Sequence, residues 1–121
     1  MDINDPRTVA ETYFRSWQEH DFATLRGILA DDVTFQGPLA TLDNADDCVK
    51  GLAGLAEILD SIAVQHVFVD GPDVLTWFDL HTTVAPPAPT ANWQHIENGK
   101  ITQIRVTFDP RALTGRLTAA R

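Results

Sequence analysis

The sequence predicts an α+β fold in which three helices precede most of a largely antiparallel sheet, in the order α-α-β-α-β-β-β-β. Two observations support this prediction. Apolar residues recur at helical spacing through most of the first 62 residues, and the spacing then changes to the alternation of strands. The strand-like runs that follow have connections too short for a crossover helix, so antiparallel pairing is favoured. All 121 residues are expected to form one domain.

The first helix is predicted by its start signal and its apolar face. Asp5 is a favourable N-cap, and the proline that follows it suits the first helical position. Large apolar residues then recur at intervals of four, which places them on one side of a helix that ends near His20. They are Val9, Tyr13 and Trp17.

A shorter second helix and a first strand are predicted next. Asp21 is a suitable N-cap, and the acidic pair Asp31-Asp32 is expected to end this helix. Residues 33–37 alternate between apolar and polar side chains and predict a strand, which the following proline terminates. Residues 38–45 are expected to form a loop.

The third helix is predicted from Asp46 to Ile62, because apolar residues recur at helical spacing throughout this segment. It contains Gly51 and Gly54, and each glycine costs a helix about 1 kcal/mol relative to alanine. We therefore expect a close packing contact at both positions, where a side chain would not fit.

Four further strands are predicted in the second half of the chain, because alternating runs are separated there by turn-forming residues. The strongest turn signal is Asn98-Gly99, since a type I′ hairpin turn needs positive φ at both central residues. The predicted strands cover residues 64–69, 74–84, 90–97 and 101–108.

Composition and charge restrict the class of function. Nine Lys and Arg residues against seventeen Asp and Glu give a formal net charge of −8, which repels phosphate backbones, so no nucleic-acid partner is expected. No apolar stretch approaches the ~18 residues that a transmembrane helix needs, and the first residues lack signal-peptide features. We therefore expect a cytoplasmic protein without membrane contact. The single cysteine, Cys48, excludes an intramolecular disulfide.

Two segments of the chain resemble one protein superfamily. Residues 12–35 (TYFRSWQEHDFATLRGILADDVTF) and 92–109 (NWQHIENGKITQIRVTFD) are similar to the nuclear transport factor 2-like superfamily, in its SnoaL-like branch. The first segment resembles ketosteroid isomerases and polyketide cyclases, and the second resembles limonene epoxide hydrolases. The resemblance implies a cone-shaped α+β barrel with a pocket between the helices and a curved sheet. It also implies a homodimer formed through the outer sheet face, and no cofactor.

The resemblance implies which residues face the pocket. Tyr13 and Asn92 match the oxyanion-hole positions of ketosteroid isomerases and are the candidate catalytic residues. The remaining candidates would bind a small apolar ligand or substrate. They are Trp17, Phe35, Phe78, Leu80, Gln94, Ile104, Val106 and Phe108.

The catalytic carboxylates of these relatives are missing at the matching positions. The general base of ketosteroid isomerases matches Gly37, and the acid/base of SnoaL-type cyclases matches Val106. The Asp-Arg-Asp set of limonene epoxide hydrolases falls on Phe78, Leu80 and Val106. Three functions stay open: an isomerase, cyclase or hydrolase; a non-catalytic protein that binds a small hydrophobic metabolite; and a protein-interaction domain.

The opposite face of the strands offers an alternative catalytic set. If this face pointed inward, its carboxylate, imidazoles and guanidinium would suffice for general acid–base catalysis. Otherwise it is the dimer face, since aromatic residues and arginine are enriched at interfaces. The histidines lie on separate strands without a metal-ligand spacing, so no metal site is expected. The alternative set is Asp79, His81, His95 and Arg105.

Overall fold

The computed structural model describes residues 5–113 and confirms the predicted α+β fold. The elements follow the predicted order, with one short strand added after the first. They are α1 (Pro6–Gln18), α2 (Phe22–Gly27), β1 (Leu29–Gln36), β2 (Thr41–Leu42), α3 (Ala45–Ala56), β3 (Leu59–Asp70), β4 (Asp73–Thr82), β5 (Ala88–Glu97) and β6 (Lys100–Thr107). None of the described helices is long and apolar enough to cross a bilayer.

The strands form a curved six-stranded sheet in the order β2-β1-β6-β5-β4-β3. Neighbouring strands pair antiparallel except β1 and β6, which run parallel. The turn between β5 and β6 lies at Asn98 and Gly99, whose φ angles of 53° and 76° confirm the predicted hairpin turn. Next to this turn a register shift between β5 and β6 decides that Ile104 and Val106 are the residues of β6 that face the helices.

Helix α1 has the predicted start and a well-formed end. The Asp5 carboxylate accepts a hydrogen bond from the backbone N–H of Thr8, as expected of an N-cap. At the other end His20 adopts a left-handed conformation with φ 58°. The N–H groups of His20 and Asp21 donate to the carbonyls of Trp17 and Ser16, the pattern of a Schellman cap.

The prediction that Asp31-Asp32 ends α2 is wrong, because both residues lie inside β1. Leu29 pairs with Ile101 and Thr34 pairs with Gln103, so the intervening part of β1 is out of register with β6. Both aspartates are exposed on this irregular stretch, where charged side chains cost little. The sequence does not predict the first half of this strand, because apolar and polar residues do not alternate there.

The predicted bounds of the third helix are also wrong. Asn44 is the N-cap and accepts a hydrogen bond from Asp47, so α3 begins at Ala45 inside the predicted loop. It ends at Ala56, and Leu59 already belongs to β3. A register shift between Leu59 and Ser61 interrupts the alternation of β3, which explains why its apolar residues mimic helical spacing.

Neither glycine of α3 has the close packing contact that the sequence predicts. A Cβ atom at Gly51 would lie 3.4 Å from Leu42 Cδ1, an ordinary van der Waals distance. A Cβ atom at Gly54 would meet no atom within 4 Å. Packing therefore does not require glycine at position 54.

We predict that Gly54→Ala stabilises the protein by about 0.5–1 kcal/mol, because alanine restricts the unfolded chain and meets no obstacle in the helix. Urea denaturation of the variant and the wild type measures the free energy of unfolding. A loss of stability would show that this helical position is crowded after all.

Candidate functional site

A cavity of about 110 Å³ lies between the concave face of the sheet and helices α1 and α3. An engineered apolar cavity of about 150 Å³ stays dry and binds benzene, so this space is suited to a small organic molecule. The mouth of the cavity is formed by the segment between β1 and β2, where Leu39 is 43% exposed. The cavity is therefore reachable from solvent at one end and closed by the helices at the other.

Most of the candidate residues on the predicted inner face line this cavity. Tyr13 and Trp17 reach it from α1, and the others reach it from the strands. Alternation along β4 and β5 turns the buried side chains toward the helices. The strand residues at the cavity are Phe35, Phe78, Leu80, Asn92 and Val106, with Phe108 just beyond β6.

Gln94 and Ile104 are predicted at the pocket but do not line the cavity. Both are buried, at 1% and 0% exposure, and they lie opposite each other on β5 and β6. Gln94 lies two residues after Asn92 and Ile104 lies two residues before Val106, so both share the inner face but lie beyond the same edge of the cavity. Inward orientation alone therefore does not decide which residues reach the cavity.

The alternative catalytic set does not converge. Asp73 and His81 lie at opposite ends of β4, roughly 26 Å apart at the usual rise of a strand. His95 Nδ1 lies 2.7 Å from Asp73 Oδ1, so His95 lies near the end of β4 that is opposite His81. Arg105 Nη1 donates instead to the carbonyl of Ile104 at 2.8 Å.

Asp79 lies near His81 but on the outer face, where its carboxylate accepts a hydrogen bond from Gln65. These side chains point away from Tyr13, so none of the alternative set lines the cavity. Across residues 5–113, no three His, Cys, Asp or Glu side chains are grouped so that they could hold a metal ion.

Two long-range hydrogen bonds fix α1 above the cavity. Trp17 Nε1 donates to the carbonyl of Leu52 at 2.8 Å and joins α1 to α3. Ile62 N donates to Gln18 Oε1 at 3.2 Å and joins β3 to the end of α1. The helix is therefore held by both of its neighbours, and Trp17 has no N–H left for a ligand.

Tyr13 is the polar group of α1 inside the cavity, and it is 1% exposed. Burial raises the pKa of its hydroxyl far above the usual 10, and nearby Cys48 raises it further. A hydrogen bond from the Asn92 side chain acts in the opposite direction. Tyr13 is therefore a neutral phenol at neutral pH and can donate a hydrogen bond.

The remaining polar groups at the cavity are weak or already bonded. The Thr90 hydroxyl donates to the carbonyl of Ala88 at 3.0 Å. Burial raises the pKa of the Cys48 thiol to about 11, so it stays protonated. Among the described residues, no carboxylate, imidazole, ammonium or guanidinium lines the cavity. The arrangement can hold a neutral ligand, and it offers no group that accepts a proton near neutral pH.

Several cavity residues were not among the predicted site residues. Cys48, Leu52 and Leu55 come from α3, and Leu42 comes from the short strand β2. Leu52 and Leu55 were recognisable as apolar positions of a helix, but nothing in the sequence shows that this helix faces the sheet across a gap. Thr90 lies two residues before Asn92 and therefore points to the same face of β5, so the same argument predicts it at the pocket.

A family model described as the SnoaL-like domain matches residues 10–104. The chain belongs to the SnoaL-like family. This match spans most of the protein and confirms the resemblance seen in the two sequence segments.

Solved structures with the same fold support this assignment. A protein from Kribbella flavida DSM 17836 is 30% identical to the SnoaL-like chain, with a TM-score of 0.86 and 93% of each chain covered. An LEH-like epoxide hydrolase from M. tuberculosis is 19% identical with a TM-score of 0.76, covering 95% of this chain and 93% of the other.

A third structure, from Shewanella putrefaciens CN-32, carries the assignment SnoaL-like polyketide cyclase. It is 14% identical with a TM-score of 0.78 and covers 94% of this chain and 86% of the other. At this identity, as for the epoxide hydrolase, the likeness concerns the fold. No curated protein matches the chain.

Cys48 gives the SnoaL-like protein a predictable loss of stability at alkaline pH. Its thiol is fully buried and its pKa rises from 9.0 to about 11 on folding. Between these pH values the unfolded chain loses the proton while the folded protein keeps it, so stability falls as pH rises. We predict that the thiol lowers the free energy of unfolding by about 1–2 kcal/mol between pH 8 and pH 11.

Urea denaturation across this pH range, on the wild type and on Cys48→Ala, isolates the contribution of the thiol. The variant should lose less stability than the wild type. Parallel losses would show that solvent reaches the thiol in the folded protein.

Proposed function

We propose that this SnoaL-like protein binds a small, neutral, largely apolar metabolite in its cavity and does so without catalysing a reaction. The observation that carries the proposal is the chemical character of the cavity wall. The described part of the wall is apolar apart from Tyr13, Asn92, Thr90 and the Cys48 thiol, and it holds no charged group. An ionic ligand would lose its hydration there without gaining a partner of opposite charge.

Hydrogen-bonding capacity narrows the ligand further. The indole N–H of Trp17 and the hydroxyl of Thr90 are already bonded to backbone carbonyls. The phenol of Tyr13 and the amide N–H groups of Asn92 are left as donors toward the cavity. A ligand with one oxygen, such as a ketone, an ester or an ether, would bury its apolar part and hydrogen-bond this phenol.

Catalysis of the types named for the structural neighbours is not favoured by these residues. A neutral phenol can stabilise a developing oxyanion, so Tyr13 and Asn92 would provide half of an active site. General acid–base catalysis also needs a group whose pKa lies near the working pH. The two titratable groups at the cavity, Tyr13 and Cys48, both have pKa values raised away from neutrality.

We predict that Gly51→Leu prevents ligand binding, because Gly51 lines the cavity and its side chain would extend toward Leu42. The probe is cyclohexanone, which has one oxygen on an apolar ring. Its binding is measured by ligand-observed NMR on the wild type and the variant. We expect at least a tenfold weaker affinity for Gly51→Leu.

The matched control is Gly54→Leu, because Gly54 lies on the same helix and faces open space rather than the cavity. It should bind the probe like the wild type. Equal binding by both variants would place the probe elsewhere on the protein. Absence of binding by the wild type to cyclohexanone and to cyclohexane would contradict the proposed function.

We also propose that the outer face of the sheet forms a homodimer. Phe68, Leu75 and Trp77 are 58%, 37% and 40% exposed on this face, and Phe68 lies directly opposite Leu75. Asp79 and Arg105 lie on the same face, so both charge signs are available. A two-fold interface uses one surface twice and therefore needs apolar groups and both signs of charge on that surface, as here.

We predict that Trp77→Lys converts a dimer into a monomer, because a lysine from each subunit would lose its hydration in an interface where an exposed tryptophan had packed. Light scattering after size-exclusion chromatography measures the mass. Leu39→Lys is the control, since Leu39 is equally exposed but lies at the cavity mouth, and it should remain dimeric. A monomeric wild type, or a dimer in both variants, would contradict the proposal.

A further inference from the structure

A side cavity of about 20 Å³ adjoins the main cavity of about 110 Å³. Leu80 and Phe108 line both spaces, so their side chains form the wall between them. The rest of the side cavity is formed by the facing ends of β4 and β5, by the segment that joins these strands, and by residues that follow β6.

The strands lead directly from one cavity to the other. On β4, Phe78 lines the main cavity, Leu80 lines both cavities and Thr82 lines the side cavity. These three residues are spaced two apart and therefore share the inner face of the strand. On β5, Thr90 lines the main cavity and Ala88 lines the side cavity. The side cavity therefore continues the main cavity along the same face of the sheet.

Phe108 is the more easily moved part of the wall between the cavities. Leu80 is 3% exposed, and it is paired on one side with Ile62 and on the other with Ala88. Phe108 lies one residue beyond the end of β6 and is only partly buried. Its ring can therefore turn aside with less loss of packing than the side chain of Leu80.

Thr82 brings a polar group to the side cavity. Its Oγ1 atom is buried and has no hydrogen-bond partner among the described residues. A buried hydroxyl without a partner is costly, so this atom points to a partner that comes from outside the chain. The carboxylate of Asp109 lines the same cavity, but it already accepts hydrogen bonds from Arg111 Nη2 at 2.6 Å and Nε at 3.0 Å.

We propose that a ligand in the main cavity extends past Phe108 and places a hydroxyl group against Thr82 in the side cavity. This inference rests on the proposed binding function and adds to it a second oxygen at the far end of an apolar molecule. The size of the side cavity limits this end to one small group. A water molecule needs at least about 10–15 Å³ of such space, so 20 Å³ admits a single hydroxyl.

The residues of the side cavity favour a hydroxyl over other small groups. A methyl group would leave Thr82 Oγ1 unpaired, whereas a hydroxyl can donate to it or accept from it. A carboxylate would be repelled by Asp109. Hydrogen bonds from Arg111 lower the pKa of Asp109 to about 2, so this residue is negatively charged at neutral pH.

The spacing along β4 sets the length of the probe. Leu80 and Thr82 are two residues apart, which is about 7 Å along a strand. A cyclohexanone ring with a hydroxyethyl group opposite its carbonyl has this reach. The same ketone with a propyl group has nearly the same shape and carries a methyl group in place of the hydroxyl. Competition experiments by ligand-observed NMR measure the affinities of both, with unsubstituted cyclohexanone as the probe of the main cavity alone.

Thr82→Val tests the contact, because valine replaces the hydroxyl with a methyl group of similar size. The preference for the hydroxyethyl ketone over the propyl ketone should fall about tenfold, since the ligand hydroxyl loses its partner. Thr82→Ser keeps a hydroxyl and should retain the wild-type preference within about twofold. Cyclohexanone should bind the wild type and both variants equally. An unchanged preference in Thr82→Val would overturn the inference.

Thr107→Val is the matched control, because Thr107 is exposed beside Phe108 and lines neither cavity. It should keep the wild-type preference. If the wild type binds cyclohexanone but neither of the longer ketones, the inference is wrong and the proposed function stands. If the wild type binds none of the three ketones and no cyclohexane, both are wrong.

Phe108→Ala tests whether the two spaces form one site. Loss of the ring removes the wall, so the hydroxyethyl ketone should bind more tightly relative to cyclohexanone than it does in the wild type. An unchanged ratio of the two affinities would show that the ligand does not pass this residue, and the inference would fail.

A measurement without ligand tests the Thr82 hydroxyl directly. Because a buried hydroxyl without a partner lowers stability, Thr82→Val should raise the midpoint of urea denaturation, and by more than Thr107→Val does. A lower midpoint would show that the hydroxyl has a partner within the protein and is not available to a ligand, which would contradict the inference.

Discussion

The alternation of side chains along β4 and β5 is the constraint on which the rest of the structure depends. Successive residues of a strand point to opposite faces, so one register places Phe78 and Leu80 under the helices and Trp77 and Asp79 outside. A slip of one residue would exchange the two sets. The pairing of β4 with β5 runs without a register shift from Asp73 opposite His95 to Leu80 opposite Ala88. The apolar cavity and the charged outer face are therefore two results of a single register.

The cavity stays open because hydrogen bonds to neighbouring elements keep α1 from moving closer to the sheet. Trp17 ties the helix to α3 through a buried hydrogen bond, and Gln18 ties it to β3 through an exposed one, so a collapse would break both. Phe14 packs edge-to-face on Phe78 with 5.2 Å between ring centroids and supports one side of the gap. At about 24 cal/mol per Å³, an empty space of 110 Å³ costs about 3 kcal/mol. A bound apolar molecule would recover much of that free energy.

The sequence predicts those parts of the fold that have strictly local signals. The Asp5 cap and the turn at 98–99 depend on neighbouring residues alone, and both are confirmed. The start of β1 and the end of α3 are missed because register shifts remove the alternation that would reveal the strands. The sequence predicts which residues point toward the helices, but it does not predict which of them reach the cavity. Gln94 has the correct orientation, yet its place beyond the wall depends on the distance between α1 and the sheet.

The separation of the two faces also supports the binding function that we propose. Every ionisable side chain that could exchange protons near neutral pH lies away from the described cavity wall. The cavity retains the donor Tyr13, whose proton is hard to remove because burial disfavours the phenolate. Such a donor can recognise an oxygen and can lower the energy of a developing negative charge, but it cannot begin a reaction by taking a proton. The function that we propose, recognition of a neutral molecule, needs only this donor and the apolar wall around it.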